Sequence, residues 1–552
     1  MTAKDESGVS ACADAAWLVA ALESSGVTDI VISPGSRSAP LAYAVALAEQ
    51  SSRIRAHPSP DERGAAFLAL GLIRATSRPV AVMMTSGTAP AHAFPAVIEA
   101  AHAHMPLIIV SADRPYEMRE VGASQTTRQV GIFDTHVVTS LDIPAGLSAF
   151  EKDQRGRPPG LVNRVQRAVA QASGAFGSAG PLHINIGFRD PLTPPGDFEV
   201  PQLAPSPVGD IRQSTPLTAW EDVVDPHLPT AIVAGADAGP HAADIAEAAG
   251  LPLFAEPSSG VFGCAHWIPY QQALLSAYGD QIKQVVVYGT PTLSRPVSRL
   301  LAQARVIVVA RSEHYPDVAG TVAQVVRGLR PAFECADPAW LQTWRLRARK
   351  LARLYAQTPV PDGIRVARTV WQAHVATDDL LVLGASNAIR YIDLIAGKPT
   401  ARPRVFANRG QAGIDGTIAM TIGLARGTRT RVRALLGDLT FLHDVNSLAL
   451  AGDENIDLIV LDDHGGRIFQ SLEHGYAASD EIYERFFAVG QRIDYAAIAA
   501  AFGWDFIDAQ TPEDLPDLAA PHRGRRLMRV RCRHQDIRDQ LNNLFPENIQ
   551  KL

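Results

Sequence analysis

Short runs of β-branched and apolar residues recur along this 552-residue chain with alanine-rich, helix-forming stretches between several of them. That alternation limits what the chain can fold into. TDIVISPG (28–35), PVAVMMTS (79–86), PLIIVSAD (106–113) and PLHINIG (181–187) each read as one strand. Apolar strands separated by helices pair in parallel, with the helices covering the sheet faces. A second alternating block holds TAIVAGA (230–236), QVVVYG (284–289) and RVIVVAR (305–311), and ends near an arginine-rich helix at 344–354. A third holds LLVLGAS (380–386), RVRALLGD (431–438), IDLIVLDD (456–463) and LMRVRC (527–532). The expected class is α/β, with three doubly wound domains built on parallel sheets at 10–190, 205–350 and 362–552. The proline-rich DPLTPPGDFEVPQLAPSPVGD (190–210) reads as a surface linker. The first and third blocks share no close sequence repeat, although they could share a fold.

Composition removes several classes of function. A net charge of −6 with 20% charged residues gives no basic excess for nucleic acid. No apolar run approaches the roughly 18 residues of a membrane span, and the N-terminus lacks a signal pattern, so no membrane span is expected. Cys12, Cys264, Cys335 and Cys532 form no C-x-x-C pair, which argues against zinc and disulfide frameworks and fits a cytoplasmic protein. All but six of the 51 basic residues are arginine, so any one arginine must be judged by its context.

Chemistry is concentrated in ALLGDLTFLHDVNSLALAGDENIDLIVLDDHGGRIF (434–469). One strand ends in Gly437-Asp438, the next in Asp462-Asp463, and His464-Gly465-Gly466 turns the chain. Adjacent parallel strands would present both carboxylates at one edge, beside glycines that let backbone amides approach an anion. A lone Gly-Asp at a strand end more often caps the next helix. The second acidic pair, 25 residues after Asp438, favours a hard dication such as Mg²⁺ joining carboxylate to diphosphate. In IRAHPSPDERGAAFLALGLI an extended segment and a Pro-Asp turn lead to Glu62, which opens an amphipathic helix. Taken alone, that acid would do no more than compensate the helix dipole.

The Gly-Asp to acidic-turn spacing resembles the motif of thiamine-diphosphate enzymes, and DERG with TSGTA (85–89) resembles their pyrimidine-binding domain. The resemblance implies a pyrimidine-binding domain at 10–190, a central domain at 205–350, and a diphosphate- and metal-binding domain at 362–552. It implies that Asp438, Asp463 and the carbonyl of Gly465 hold Mg²⁺ (or Mn²⁺), with Asp463 standing where many members have Asn. Gly437, Leu439 and Ser386 would flank the cofactor. Glu62 would hydrogen-bond the aminopyrimidine and serve as the catalytic acid. In such enzymes the glutamate of one subunit reaches the cofactor of another, which implies a homodimer or homotetramer.

Arginines and amides recur at strand-to-helix turns in SPGSRSAP (33–40), SADRP (111–115), GASQTTRQ (122–129), PTLSRP (291–296), GASNAIR (384–390) and ANRGQAGIDGT (407–417). Such a set suits a polyanionic substrate, because guanidinium pairs carboxylate in bidentate fashion. Taken together, these motifs make the chain similar, over its whole length, to the 2-succinyl-5-enolpyruvyl-6-hydroxy-3-cyclohexene-1-carboxylate synthase family of menaquinone biosynthesis. That implies decarboxylation of 2-oxoglutarate and Stetter-like addition of the succinyl unit to isochorismate. Ser36, Arg37, Arg114, Gln125, Arg295, Ser386, Arg390 and Arg409 would bind substrate carboxylates. Ile414 would support the cofactor, and Ile468, Phe469 and Leu472 would form an apolar wall. Ser294 stands where some relatives carry lysine. Ser36 is also expected to cap the helix after its turn, with Arg37 facing the cleft; His443–Asn446 and His464 are given no step. Another thiamine-diphosphate decarboxylase or carboligase is the nearest alternative. A non-catalytic nucleotide-binding protein is the more distant one, and it leaves Glu62 unexplained.

Overall fold

The computed structural model describes residues 7–545 apart from 151, 155, 195, 197, 207–216, 311, 313, 332–336, 534–540 and 543. Met1–Glu6, Cys335 and positions 195, 197 and 207–210 of the expected linker lie outside the described residues.

Three wholly parallel sheets carry the fold. The first holds β1 (Asp29–Ile32), β2 (Arg55–Pro58), β3 (Val80–Met84), β4 (Leu107–Asp113), β5 (Thr139–Ile143) and β6 (Leu182–Gly187), in the order β2-β1-β3-β4-β6-β5. The second holds β7 (Thr230–Ala234), β8 (Leu253–Ala255), β9 (Gln284–Tyr288), β10 (Arg305–Val309) and β11 (Val322–Val326), ordered β11-β10-β9-β7-β8. The third holds β12 (Leu380–Leu383), β13 (Val405–Phe406), β14 (Val432–Gly437), β15 (Ile456–Asp462), β16 (Asp505–Ala509) and β17 (Arg525–Arg531), ordered β13-β12-β14-β15-β17-β16. Position for position, the first and third sheets have the same winding. Interior strands such as β3, β4, β6 and β15 are buried along their whole length, as helices on both faces require. These α/β sheets are the class that the strand–helix alternation predicts.

The chain divides into two compact units. One comprises 1–213 with 415–429 and 444–452; the other comprises 214–414, 430–443 and 453–552. In the first unit the helix Glu62–Thr76 departs from the amphipathic expectation. Gly64 through Ile73 are buried without a break, because the helix Thr417–Thr428 packs on the side away from the sheet. Two glycines permit that approach: a Cβ on Gly71 would stand 2.2 Å from the Met420 carbonyl, and one on Gly423 would stand 2.1 Å from that of Leu68. Asp444 anchors the second helix, accepting from the amides of Ile418 (2.7 Å) and Ala419 (3.0 Å) and from the Ser447 hydroxyl (2.7 Å). The carboxylate of the HDVN stretch is therefore a buried helix cap.

Candidate active site

In the second unit, β14 and β15 run side by side with Gly437 opposite Leu461, so Asp438 and Asp463 emerge at one carboxyl edge. Both are buried. Asp438 opens the short helix Asp438–His443, taking the Leu439 amide on Oδ1 and the Gly465 amide on Oδ2, each at 2.7 Å. Burial raises its pKa against those two bonds, and the Asp462 charge adds to the rise. Asp463 is raised well above the carboxylate range by burial and then by the charge of Asp438. Arg467, the cation acting on Asp463, sends Nε to its backbone carbonyl and its two Nη atoms to Glu484. Asp462 of the acidic pair is instead tied to Arg529 at 2.6 Å. Two buried carboxylates at one edge, with the Asp438 charge disfavouring ionisation of Asp463, suit a small dication.

The backbone turn is built for close approach. Gly465 has φ +106°, and a Cβ there would stand 2.0 Å from the Ala488 carbonyl. Its own carbonyl accepts the Arg467 amide at 2.7 Å and has a second lone pair to offer. Beside it, a Cβ on Gly437 would meet nothing within 4 Å, which leaves room for a bulky anion at the strand end. The donor set and the space fit a metal-bound diphosphate.

In the first unit, Glu62 follows β2 and begins its helix beneath the Asp61 cap, whose carboxylate accepts from the amides of Arg63 (2.9 Å) and Gly64 (3.4 Å). Glu62 is half-buried. At the end of β4, Arg114 donates to the Ser86 hydroxyl (3.1 Å) and to the Ser124 carbonyl (2.9 Å). Gln125 reaches the Ser86 carbonyl at 3.0 Å. Arg37 is buried; it donates to the Phe188 carbonyl at 2.8 Å and pairs with Asp190 at 3.5 Å, while its Nε has no partner. Burial lowers the pKa of Arg114, and the Arg37 charge lowers it further, so these two guanidiniums face a shared region. Arg37, Ser86, Arg114 and Gln125 thus form one cluster.

The expected cap is corrected here. Ser36 is exposed, and Ser38 occupies the position before the helix Ala39–Gln50. The Ser38 hydroxyl donates backward to the Gly35 carbonyl (3.1 Å), while Ser36 contributes only its carbonyl, to the Ala39 amide. The turn closes on its own carbonyls, so no hydroxyl is left for the helix amides.

A second arginine pair lies in the other unit. Ser386, held at φ 70°, ψ −131°, precedes the helix Asn387–Ile395, and its carbonyl accepts from Arg390 at 2.7 Å. Such strain in a non-glycine residue is characteristic of functional turns. Arg409 is 5% exposed; Nη2 donates to the Thr292 hydroxyl at 3.0 Å, and Nε and Nη1 have no partner. Burial and then the Arg409 charge lower the Arg390 pKa. Two acids that the sequence reading missed compensate them. Burial raises Glu256 to about 7, against amide bonds from the Thr292–Leu293 turn and the pull of Arg409. Burial also raises Asp393, to about 6, although Gln271 (2.5 Å) and Gln272 (2.7 Å) donate to it. Glu256 directly follows β8, and an acid at a strand end was the one local signal that could have found it.

Arg295 stands apart, exposed at the start of the helix Arg295–Gln303 and paired with Glu473 at 2.8 Å. Ile468, Phe469 and Leu472 are half-buried in the turn after Gly466, where Phe469 packs on Phe487 with centroids 5.7 Å apart. Ile414, also half-buried, closes the loop that begins at Arg409.

Known proteins share these features. Residues 14–132 match the family model for the thiamine pyrophosphate enzyme N-terminal TPP binding domain, and 396–524 match that for the C-terminal TPP binding domain. The chain is 41% identical to the 2-succinyl-5-enolpyruvyl-6-hydroxy-3-cyclohexene-1-carboxylate synthase of Arthrobacter sp. (strain FB24), covering 93% of this chain and 88% of that one. It is 41% identical to the synthase of the same name from Kineococcus radiotolerans, covering 96% and 97%, and 38% identical to that from Nocardia farcinica, with the same coverage. Relatives this similar over nearly the whole chain, together with thiamine-binding domains at both of its six-stranded sheets, establish that the chain belongs to the 2-succinyl-5-enolpyruvyl-6-hydroxy-3-cyclohexene-1-carboxylate synthase family of thiamine-diphosphate-dependent transferases.

Proposed function

We propose that the protein decarboxylates 2-oxoglutarate and joins the remaining succinyl unit to isochorismate by 1,4-addition, releasing CO₂, as a step of menaquinone biosynthesis. The observation that carries the choice of substrates is the two arginine pairs, Arg37 with Arg114 and Arg390 with Arg409, each holding like charges close enough to depress a guanidinium pKa. Like-charged pairs of this kind call for anions between them, and both proposed substrates carry carboxylates. Arg409, with two buried donors unspent, is the most demanding member.

Asp438, Asp463 and the Gly465 carbonyl would hold Mg²⁺ or Mn²⁺, and the space beside Gly437 would take the diphosphate. Bound thiamine diphosphate supplies the electron sink that decarboxylation of a 2-oxo acid requires. Glu62 would hold a proton at the aminopyrimidine N1′, and Ser36, Gln125, Ser386 and Arg295 would orient carboxylates alongside the four paired arginines. Ile414 would support the cofactor while Ile468, Phe469 and Leu472 exclude water.

The working domains remain 10–190, 205–350 and 362–552, which the three separate sheets support. Assembly as a homodimer or homotetramer is part of the same reading, supported by the placement of Glu62 and Asp438 in different compact units. No described helix is long and apolar enough to cross a membrane. A cytoplasmic location is supported by the free thiols of Cys12, Cys264 and Cys532. Mass analysis of the product formed from 2-oxoglutarate and isochorismate, with thiamine diphosphate and Mg²⁺ present, tests the assignment. The succinylated adduct is expected; pyruvate consumption without that adduct would overturn the reading.

A further inference from the structure

We propose that Glu256 is a positioning residue for Arg409: from the end of β8 it braces the Thr292–Leu293 turn, and that turn fixes the guanidinium so that its remaining donors meet a substrate carboxylate. The proposal rests on the assignment of Arg409 to substrate made above.

Glu256 is itself fixed. Its amide donates to the Ala234 carbonyl at 2.8 Å, and its carbonyl accepts the Ser259 amide at 3.0 Å. Its Oε1 accepts the Leu293 amide at 2.7 Å, and the neighbouring Thr292 gives its hydroxyl oxygen to Arg409 Nη2 at 3.0 Å. The turn is also pressed against the end of β7, since a Cβ on Gly235 would stand 2.1 Å from the nitrogen of Pro291. A rigid path therefore runs from carboxylate to turn to guanidinium. The charged groups acting on Glu256 are Arg409, Asp393 and Arg390, so its charge is compensated by the same arginines that it organises. A carboxylate in a dry interior costs more than an apolar side chain of the same size, unless its bonds hold something in place. Here they hold the turn that carries Arg409's hydroxyl partner.

Steady-state kinetics of the full-length holoenzyme test this with Glu256→Ala, Thr292→Val, Glu256→Gln, Arg409→Ala and the double variant Glu256→Ala/Arg409→Ala. Glu256→Ala and Thr292→Val are each expected to raise KM for 2-oxoglutarate or isochorismate about tenfold, with kcat changed less than about threefold and thiamine diphosphate affinity unmoved. Glu256→Gln should restore KM to within about threefold of the parent, because its amide oxygen still accepts from Leu293. The double variant should be no worse than Arg409→Ala, since the two residues act as one unit. A raised KM in Arg409→Ala beside an unchanged KM in Thr292→Val overturns the proposal, whatever becomes of Glu256→Ala. Additive losses in the double variant overturn it as well. An Arg409→Ala variant with both KM values unchanged removes Arg409 from the substrate site, and this proposal falls with that assignment.

Discussion

The first and third sheets are wound alike, yet their carboxyl edges carry different chemistry. The first edge presents Glu62, half-buried, after β2, and the like-charged pair Arg37 and Arg114 after β1 and β4 of the same sheet. The third presents two buried acids, Asp438 and Asp463, both raised by burial, with the Asp438 charge raising Asp463 further. Winding fixes where strand ends gather; side chains fix whether that edge attracts an anion or a cation. In the proposed function, one topology used twice would divide an acid–base task from a metal-binding task.

Removing the acid from the first edge should have the largest effect on rate. Glu62→Gln is expected to lose on the order of 10²–10⁴-fold in kcat while still binding thiamine diphosphate, measured as a retained thermal shift. The third edge should fail in the opposite way. Asp463→Ala should abolish the stabilisation by thiamine diphosphate and Mg²⁺, about 3 kcal/mol for the parent at a hundredfold excess over Kd. A variant of either kind that behaved like the other would end the division of labour between the edges.

Each unit also hides a neutral histidine, and these sharpen the contrast in stability. Burial depresses His183, on β6, and His374, in the helix Asp362–Val375, to about 4 from the usual 6.5. Below pH 6.5 the unfolded chain takes up protons that the folded chain refuses until about pH 4. Stability should therefore be complete above 6.5 and fall across that window, by up to about 1.4 kcal/mol per pH unit for each histidine. Urea midpoints at pH 7 and pH 5 check this. The two differ in their partners: His183 bonds the Ser111 hydroxyl at 2.8 Å, whereas neither ring nitrogen of His374 has a partner. His374→Leu should flatten the pH dependence with little loss at pH 7, and His183→Leu should flatten it while costing about 1 kcal/mol for one lost hydrogen bond, since the Ser111 hydroxyl keeps Asn185 Oδ1 at 3.0 Å.

The arginines give the smallest test. Arg295, exposed and neutralised by Glu473, should change substrate KM less than about threefold when replaced by Ala, whereas Arg114→Ala should change it about tenfold. Equal effects would show that Glu473 releases Arg295 to substrate.

Much of the fold was legible because its signals are local. Among the described residues, each of the eleven interior strands stands in the sequence as an apolar run; β2, read only as an extended segment, and the strands not read, β5, β8, β11, β13 and β16, all lie at sheet edges. Edge strands are short or half-exposed, as in TSLDI of β5 and DFIDA of β16, so the apolar run that marks a doubly covered strand is missing. The carboxylates of Asp438 and Asp463 were legible for the same reason, since strand, turn and acid are contiguous.

The sequence by itself determined which turns carry charge: Arg37 after β1, Glu62 after β2, Arg114 after β4, Asp438 after β14 and Asp463 after β15. Only the tertiary structure decided what each charge meets. Asp190 and the Phe188 carbonyl hold Arg37, Glu473 holds Arg295, and Thr292 leaves Arg409 with two unspent donors. The structure likewise turned the Glu62 helix from a half-solvated element into a buried one, by laying the distant helix Thr417–Thr428 against Gly71. Turn chemistry is written in neighbouring residues, whereas burial and charge compensation depend on partners far away along the chain, and those partners are set by packing.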